Sequence, residues 1–288
     1  MKKTLTLDDK SPWSYAIDDP IRTIEGAVIE IGDWIGRGGY GAVYNCVDAV
    51  SGEELAVKFL LHPDTTLHAR FGREIALLKD LDNVHIIKFK GSGSLTAEVR
   101  NRKSRRNTVV PFVIMELADC NLSEVMLTRR AGFPYEDYAG QFRGLSAALA
   151  TLHAVAIHRD IKPENILIRG GRWLLSDYGL CSFVDPTLPD LTGENERVGP
   201  KFWLSPEAQN RMLKSPDEIT RASDVFQLAA VFWYAATGRH PMGNITQTDW
   251  PGPERLFGVL QASLMHDSAK RPQTGQELLD AIQAGMEP

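Results

Sequence analysis

The sequence HRDIKPENIL, residues 158–167, decides how the rest of the chain is interpreted. Within it the carboxylate Asp160 is followed by the ammonium of Lys162 and then by the amide of Asn165. Residues 177–179, Asp-Tyr-Gly, add a second carboxylate beside a flexible glycine. A lone Asp or Asn would be weak evidence, but four polar groups at fixed offsets and in this order are specific. Such groups can accept the proton of a hydroxyl while a phosphoryl group and its metal ion lie beside it.

A glycine-rich segment lies nearer the N-terminus and fits the pattern G-x-G-x-x-G. Its glycines are Gly36, Gly38 and Gly41. Glycine lets backbone N–H groups approach phosphate oxygens closely. Dinucleotide-binding folds use the same spacing, but their loop opens a helix, whereas here residues 42–47 are strand-like. A second strand-like segment, residues 54–60, follows with a single lysine, Lys58.

Lys58 has apolar neighbours, and a buried ammonium requires an anionic partner. The segment from Asp64 to Leu81 has apolar residues at helical spacing, and Glu74 lies beside that stripe. Glu74 is one anion that this segment offers. The alternatives are a lysine at a strand edge with its head in water and a solvated glutamate on the helix.

Together these stretches resemble the eukaryotic-type protein kinases, and Lys162 is typical of their serine/threonine branch. The resemblance covers about residues 28–282. It implies an α+β, bilobal protein-kinase fold, with a small antiparallel-sheet N-lobe plus one helix and a larger, mainly helical C-lobe. The implied organisation is an N-terminal extension at 1–27 and a kinase domain at 28–288, with the N-lobe at about 28–115, the hinge at 116–119 and the C-lobe at about 120–288.

The resemblance implies ATP and Mg²⁺ as cofactors and gives each polar residue a role. Asp160 would accept or orient the substrate's hydroxyl proton, and Lys162 would neutralise charge on the γ-phosphate. Asn165 and Asp177 would bind Mg²⁺, which suits hard oxygen ligands. We expect both segments to act on one nucleotide. The ATP-binding residues so implied are Ile35, Gly36, Gly38, Gly39, Gly41, Val43, Ala56, Lys58, Glu74, Met115, Glu116, Ala118 and Leu167.

The segment from Asp177 to Glu207 has little regular pattern and ends in Ser-Pro-Glu, which resembles the family's Ala-Pro-Glu. The resemblance implies that Lys58 pairs with Glu74, that Glu207 pairs with Arg271 and that Asp224 anchors the backbone of residues 158–167. Because Arg159 precedes Asp160, a phosphate on this segment could pair with Arg159 and order it. We expect autophosphorylation there, and the candidate regulatory residues are Ser182, Thr187 and Thr192. A segment ordered without modification is the alternative.

The expected function is ATP- and Mg²⁺-dependent phosphorylation of serine or threonine hydroxyls on a protein substrate. Two departures from the family pattern bear on it. Tyr178 replaces the usual Phe, which a phenol can do if its hydroxyl finds a partner. Pro200 and Trp203 look more like tyrosine kinases, but Lys162 touches the transferred group and is given more weight. The alternatives are tyrosine or dual-specificity phosphorylation, a pseudokinase binding module and, ranked last, a small-molecule kinase of related fold.

Composition narrows the function classes further. The chain has 288 residues, 43% hydrophobic, and a formal net charge of −5, whereas nucleic-acid binders are more often strongly basic. The three cysteines show no ligand spacing, which favours a reducing cytoplasm. No apolar run approaches the length that spans a bilayer, so we expect a cytoplasmic protein. The oligomeric state is not specified.

The remaining periodicity predicts further elements. A dense basic run at 100–106 is interpreted as a solvated loop, and docking of an acidic partner or a nucleic acid is ranked second. The predicted strands are residues 86–89 and 109–115, and the predicted helices are residues 122–130, 135–154, 220–237, 254–265 and 273–282.

Overall fold

The structure is a computed structural model that describes residues 1–8, 10–38, 41–100, 105–129, 131–184 and 202–287. The chain forms two compact units, residues 1–80 with 87–118 and residues 81–86 with 119–288. The first is built on a sheet with a helix and the second is mainly helical, which confirms the predicted α+β architecture. The lobe boundaries given above stay predictions.

The first unit is an antiparallel sheet with the order β1-β2-β7-β8-β6-β5-β4-β3. Its elements are β1 (Lys2–Thr6), β2 (Ser14–Asp18), β3 (Ile21–Arg22), β4 (Val28–Gly38), β5 (Gly41–Asp48), β6 (Glu54–Leu60), α1 (Thr65–Asp80), β7 (Phe89–Arg100) and β8 (Arg105–Glu116). Side chains alternate between the two faces of a strand. One face carries the buried core, which includes Tyr44, Val57, Phe59, Phe112 and Ile114.

The N-terminal segment contributes two strands to this sheet. β1 pairs with β2, and β2 pairs with β7, so that residues 2–18 continue the sheet. Leu5 and Ile17 are fully buried in its core. Trp13, Tyr15 and Ile17 alternate along the segment that contains β2, whereas the sequence gives no sign of β1, because β1 carries a single buried residue among polar ones.

One predicted strand and one predicted loop in this unit need correction. Residues 86–89 do not form a strand: Ile86 makes an isolated bridge to Leu175, and β7 begins only at Phe89. The predicted basic loop is also partly wrong, because β7 extends to Arg100 and β8 begins at Arg105. Long arginine side chains can lie on a strand with their charged ends in water, so charge density alone did not exclude a hairpin. Residues 101–104 lie outside the described residues.

The second unit is organised around a buried helix. Its helices are α2 (Leu122–Thr128), α3 (Tyr135–His153), α4 (Pro206–Met212), α5 (Arg221–Thr237), α6 (Glu254–Ser263) and α7 (Gly275–Met286), and its short strands are β9 (Cys120–Asn121), β10 (Ala156–Ile157), β11 (Ile166–Arg169), β12 (Arg172–Leu175) and β13 (Ser182–Phe183). α5 is buried nearly all round, as its apolar sequence predicts. Phe142 of α3 stacks on Phe232 of α5 with ring centroids 4.0 Å apart. Gly238 ends α5 in the left-handed region at φ 72°.

A buried ion pair links α4 to the segment before α7. Arg271 donates two hydrogen bonds to the Glu207 carboxylate, at 2.8 and 2.9 Å. Burial alone would raise the pKa of Glu207, but the bonds from Arg271 and Ser223 hold it below its ordinary value. The predicted pair is confirmed. Within the described ranges, no helix is both long and apolar enough to cross a membrane.

Candidate functional site

The glycine-rich segment forms the hairpin between β4 and β5. Gly36 pairs with Val43, and Gly38 pairs with Gly41. A Cβ on Gly41 would lie 2.9 Å from the Phe59 carbonyl oxygen, so this position tolerates only glycine without a shift of backbone. A Cβ on Gly36 would meet nothing within 4 Å, which leaves its backbone open to a ligand. Gly39, also predicted to bind ATP, lies outside the described residues.

Lys58 is buried at the centre of the sheet. It pairs with Val43 on one side and Val113 on the other, and 8% of its surface is exposed. Its ammonium lies 2.6 Å from Glu74 Oε1. Glu74 lies on the buried side of α1 together with Phe71, whose ring is 5.8 Å from the Lys58 Nζ. The predicted Lys58–Glu74 pair is therefore present.

The face of the sheet that carries Lys58 also carries other predicted nucleotide contacts. Register places Val43, Ala56 and Met115 on this face, opposite the core side chains. Glu116, at the end of β8, accepts from the Lys88 N–H at 2.9 Å and donates its own N–H to the Lys88 carbonyl at 3.0 Å. These bonds fix the backbone leading to Ala118. Ile35 lies in β4 and is 46% exposed.

The second unit brings together the polar groups of residues 158–167. Lys162 Nζ lies 2.8 Å from Asp160 Oδ2. Asn165 Nδ2 donates to the same oxygen at 2.9 Å and to the Asp160 carbonyl at 2.8 Å. The Asp160 carboxylate is thus held by an ammonium and an amide, as a positioned base must be. Leu167, the predicted nucleotide contact in this unit, lies in β11 opposite Leu174 and Asn121.

Asp160 has an elevated pKa. Burial raises it above the ordinary aspartate value, the Lys162 ammonium opposes the rise, and the negative charge of Asp177 adds to it. A buried carboxylate with a raised pKa is a better proton acceptor than a solvated one. The influence of Asp177 shows that the two carboxylates lie close enough to interact.

α5 holds the backbone before Asp160 in place. Asp224, fully buried, accepts from the His158 N–H at 2.6 Å and the Arg159 N–H at 2.8 Å. This confirms the anchoring implied by the resemblance. The sequence analysis missed Gln227, whose Oε1 accepts from the Ile161 N–H at 3.1 Å. The available signal was an amide in an otherwise apolar helix, because a buried polar group requires a partner.

A strained backbone presents the second carboxylate. Asp177 has φ 61°, in the left-handed region that costs a non-glycine residue free energy. Tyr178 is 2% exposed, and its hydroxyl donates to the Leu175 carbonyl at 3.0 Å. The phenol thus finds the partner that the sequence required. Ser176, the residue before Asp177, donates through its N–H and its hydroxyl to the Asn165 carbonyl, at 3.0 and 2.9 Å.

The chemistry of these donors fits Mg²⁺. The Asn165 nitrogen is directed to Asp160, which leaves its amide oxygen as a ligand, and Ser176 ties Asn165 to the residue beside Asp177. One amide oxygen and one carboxylate are few protein ligands, and Mg²⁺ at phosphate sites completes its shell with water and phosphate oxygens. Among the residues that the structure describes, no group of three or more His, Cys, Asp or Glu forms a closed metal site.

One regulatory candidate can be placed. Ser182 lies in β13, paired with Ile157 of β10. Arg159, its proposed phosphate partner, is 8% exposed and has φ 69°. Thr187, Thr192 and Pro200 lie outside the described residues.

Comparisons with known proteins agree with this geometry. The family model described as "Protein kinase domain" matches residues 29–284. Similar curated proteins include the serine/threonine-protein kinase AfsK of Streptomyces coelicolor, 30% identical over 83% of this chain and 29% of its own length. The probable serine/threonine-protein kinase PknB of Bifidobacterium longum is 27% identical over 76% of this chain and 31% of its own. The mitogen-activated protein kinase kinase kinase MST11 of Pyricularia oryzae is 29% identical over 75% of this chain and 24% of its own. The chain therefore spans less than a third of the length of these relatives.

Proposed function

Because the chain belongs to the protein kinase domain family, we propose that it phosphorylates serine or threonine hydroxyls of a protein substrate with ATP and Mg²⁺. The observation that carries the proposal is the Asp160 carboxylate, buried and held by Lys162 and Asn165. The names of AfsK and PknB, both serine/threonine-protein kinases, support the choice of hydroxyl.

Asp160 orients the substrate hydroxyl and accepts its proton as the reaction proceeds. The hydroxyl oxygen forms a bond to the γ-phosphorus while the bond from that phosphorus to its bridging oxygen breaks, which yields the phosphorylated residue and ADP. Lys162, 2.8 Å from Asp160, places a positive charge where it offsets the negative charge of the transferred group. Positioning and charge neutralisation supply most of the catalysis in such a transfer.

Asn165 and Asp177 are the proposed ligands of Mg²⁺. The ion, when bound, neutralises charge on the phosphate oxygens. Asn165 also donates to Asp160, so one side chain couples the proposed metal ligands to the base. Its hydrogen bonds fix which end of the amide is offered to the ion.

Lys58 is the proposed phosphate ligand of the sheet unit. Glu74 at 2.6 Å holds its ammonium in one position, and the backbone of Gly36 is open to phosphate oxygens. A lysine without this partner would adopt many rotamers, and fixing it would oppose binding. We propose the remaining residues that the family resemblance implies, within each unit, as further ATP contacts.

Two alternatives remain distinguishable. A pseudokinase would be favoured by loss of Lys58, Asp160 or Asp177, and all three are present. Tyrosine specificity is suggested by Trp203, which packs against Tyr234 and His240, with ring centroids 5.4 and 4.8 Å away. That packing is compatible with either hydroxyl. We propose a cytoplasmic location on the basis of the three free thiols.

The test is phosphoryl transfer from γ-labelled ATP to casein, with and without Mg²⁺, followed by phosphoamino-acid analysis. The expected result is Mg²⁺-dependent label on phosphoserine or phosphothreonine, absent with Asp160→Ala. Equal labelling by the wild type and Asp160→Ala would refute the proposal. Label confined to phosphotyrosine would replace the proposed specificity, and mass spectrometry of residues 177–207 would show whether Ser182, Thr187 or Thr192 is modified.

A further inference from the structure

A cavity of about 220 Å³ opens at the end of the sheet in the first unit. Its walls come from the connection between β1 and β2, the start of β2, the end of β7, the start of β8, and residues 61–63, which lie shortly before α1. Much of its wall is therefore formed by the N-terminal strands that extend this sheet. No role assigned above uses it.

The strand register shows which face of the sheet lines the cavity. Tyr15 of β2 lies opposite Val99 of β7, and Val99 lies opposite Arg106 of β8. Thr108, two residues along β8, shares their face. That face continues into the buried core through Val110. It is opposite the face that carries Lys58, so the cavity is separate from the candidate nucleotide contacts.

The cavity offers both an apolar wall and a positive charge. Leu7, Trp13 and Val99 supply apolar surface, and Trp13 remains 38% exposed. The Tyr15 hydroxyl is occupied because it donates to the Leu61 carbonyl at 2.9 Å. Burial raises the pKa of the Tyr15 phenol, and the charge of Arg106 opposes that rise. Arg106 itself lines the cavity and is exposed to solvent.

The carboxylates near this end of the sheet have other partners. Glu98 lies on the opposite face, where it pairs with Arg100 at 2.8 Å and lies 3.9 Å from Arg105. Asp8, in the β1–β2 connection, pairs with Arg37 at 2.6 Å. Within the described ranges, no carboxylate forms an ion pair with Arg106. A guanidinium at an apolar cavity without such a pair is suited to an anionic ligand.

We propose that this cavity binds a small aromatic monocarboxylate, with its ring against Leu7 and Trp13 and its carboxylate on Arg106. The volume accommodates one ring with a short chain and is smaller than a drug-sized pocket. An inorganic anion would leave the apolar wall in contact with water. A neutral aromatic would leave the guanidinium unpaired.

The experiment is a titration of the ¹⁵N-tryptophan-labelled protein with 3-phenylpropionate, followed by the indole N–H resonances. Trp13→Phe assigns the resonance of interest among the six tryptophans. The expected dissociation constant is on the order of 1 mM for a ligand of about eleven non-hydrogen atoms. The amide, 3-phenylpropanamide, and inorganic phosphate should each bind at least about threefold more weakly, because each lacks one of the two recognition elements.

Matched variants test the assignment. Arg106→Gln should weaken 3-phenylpropionate binding about threefold, because ion pairs at exposed sites are weak, and Arg105→Gln, on the opposite face, should leave it unchanged. Thr108→Phe should abolish it by filling the cavity, with thermal unfolding used to check that each variant is folded. No shift of the Trp13 resonance up to about 10 mM ligand, equal effects of the two arginine variants, or equally tight binding of the amide would each overturn the proposal. The readout is binding alone, so the proposal stands or fails independently of phosphoryl transfer.

Discussion

Opposing electrostatic effects act on the Asp160 carboxylate. Burial and the charge of Asp177 raise its pKa, whereas Lys162 at 2.8 Å lowers it. The result is a carboxylate that is more basic than an ordinary aspartate yet fixed in direction. Asn165 restricts it further by donating to its Oδ2. These contacts set the proton affinity of the Asp160 carboxylate, which we propose as the base.

The raised pKa of Asp160 predicts a shifted pH profile. The carboxylate must be unprotonated to accept a proton, so kcat/KM, which reports the groups of the free enzyme, should fall as the pH is lowered through its raised pKa. The acidic limb should therefore lie above the ordinary aspartate value of about 3.9. The measurement is kcat/KM for ATP across the acidic range, with Mg²⁺ present. Residual activity of Asp160→Asn should lack this limb, and an identical limb in both proteins would contradict the assignment.

Tyr178 predicts a small and separable effect. Tyr178→Phe restores the family's usual residue but removes the hydrogen bond to the Leu175 carbonyl at 3.0 Å. The free energy of unfolding should fall by about 1 kcal/mol, and activity should survive. Denaturant unfolding with the half-buried Tyr135→Phe as control checks the stability. Abolished activity in a folded Tyr178→Phe protein would show that the hydroxyl has a role beyond stability.

At the scale of elements, α5 orders the loop that bears Asp160. Asp224 holds two successive N–H groups, and Gln227 holds a third at Ile161. Gln227→Met keeps the volume but leaves the Ile161 N–H without this acceptor, which costs about 1–3 kcal/mol. A positioning role predicts that kcat falls while the KM for ATP changes little.

Activity of Gln227→Met equal to the wild type would remove Gln227 from this role. Gln209→Met is the control. The Gln209 amide donates to the Leu204 carbonyl, and none of its described hydrogen bonds reaches residues 158–161. Its kcat should match that of the wild type.

The link between α4 and the segment before α7 predicts a stability change with a defined pH dependence. Glu207→Gln leaves the buried Arg271 guanidinium without a carboxylate and should lower the free energy of unfolding by about 3 kcal/mol at pH 7. Because the folded-state pKa of Glu207 is lowered, its contribution is present above the unfolded value, about 4.3, and is lost as the pH falls through the folded value.

The difference between wild type and Glu207→Gln should therefore shrink below about pH 4.3 in chemical denaturation series. Lys270→Ala, which removes the exposed pair with Asp267 at 3.9 Å, is the control and should cost less than about 0.5 kcal/mol. A constant difference at all pH values would contradict the charge-based explanation.

Much of both units was predictable because local signals and burial agreed. The nearly continuous apolar sequence of residues 220–237 gave α5, and the family resemblance, supported by a single lysine in an apolar strand, gave the pair of Lys58 with Glu74. β1 was not predicted because a single buried residue does not produce an alternating pattern of apolar and polar residues. Gln227 stands out in the sequence as an amide in an apolar helix, but its role was missed because its partner is a backbone N–H, which the sequence does not identify.

For the molecule as a whole, the central claim is that both units serve one reaction. The sheet unit supplies Lys58 fixed by Glu74, and the helical unit supplies Asp160 with Asn165 and Asp177. Neither set suffices for phosphoryl transfer by itself, since one lacks the base and the other lacks the lysine. The claim predicts that the loss of either set eliminates the same activity.

The most direct measurement compares initial rates of Mg²⁺-dependent transfer from γ-labelled ATP for wild type, Lys58→Met and Asp160→Asn. The account predicts transfer by the wild type that EDTA abolishes, and a fall of about 10²–10⁴-fold in each variant while both remain folded. It further predicts that Asp160→Asn still binds Mg²⁺-ATP. Transfer by either variant at the wild-type rate would contradict the central claim.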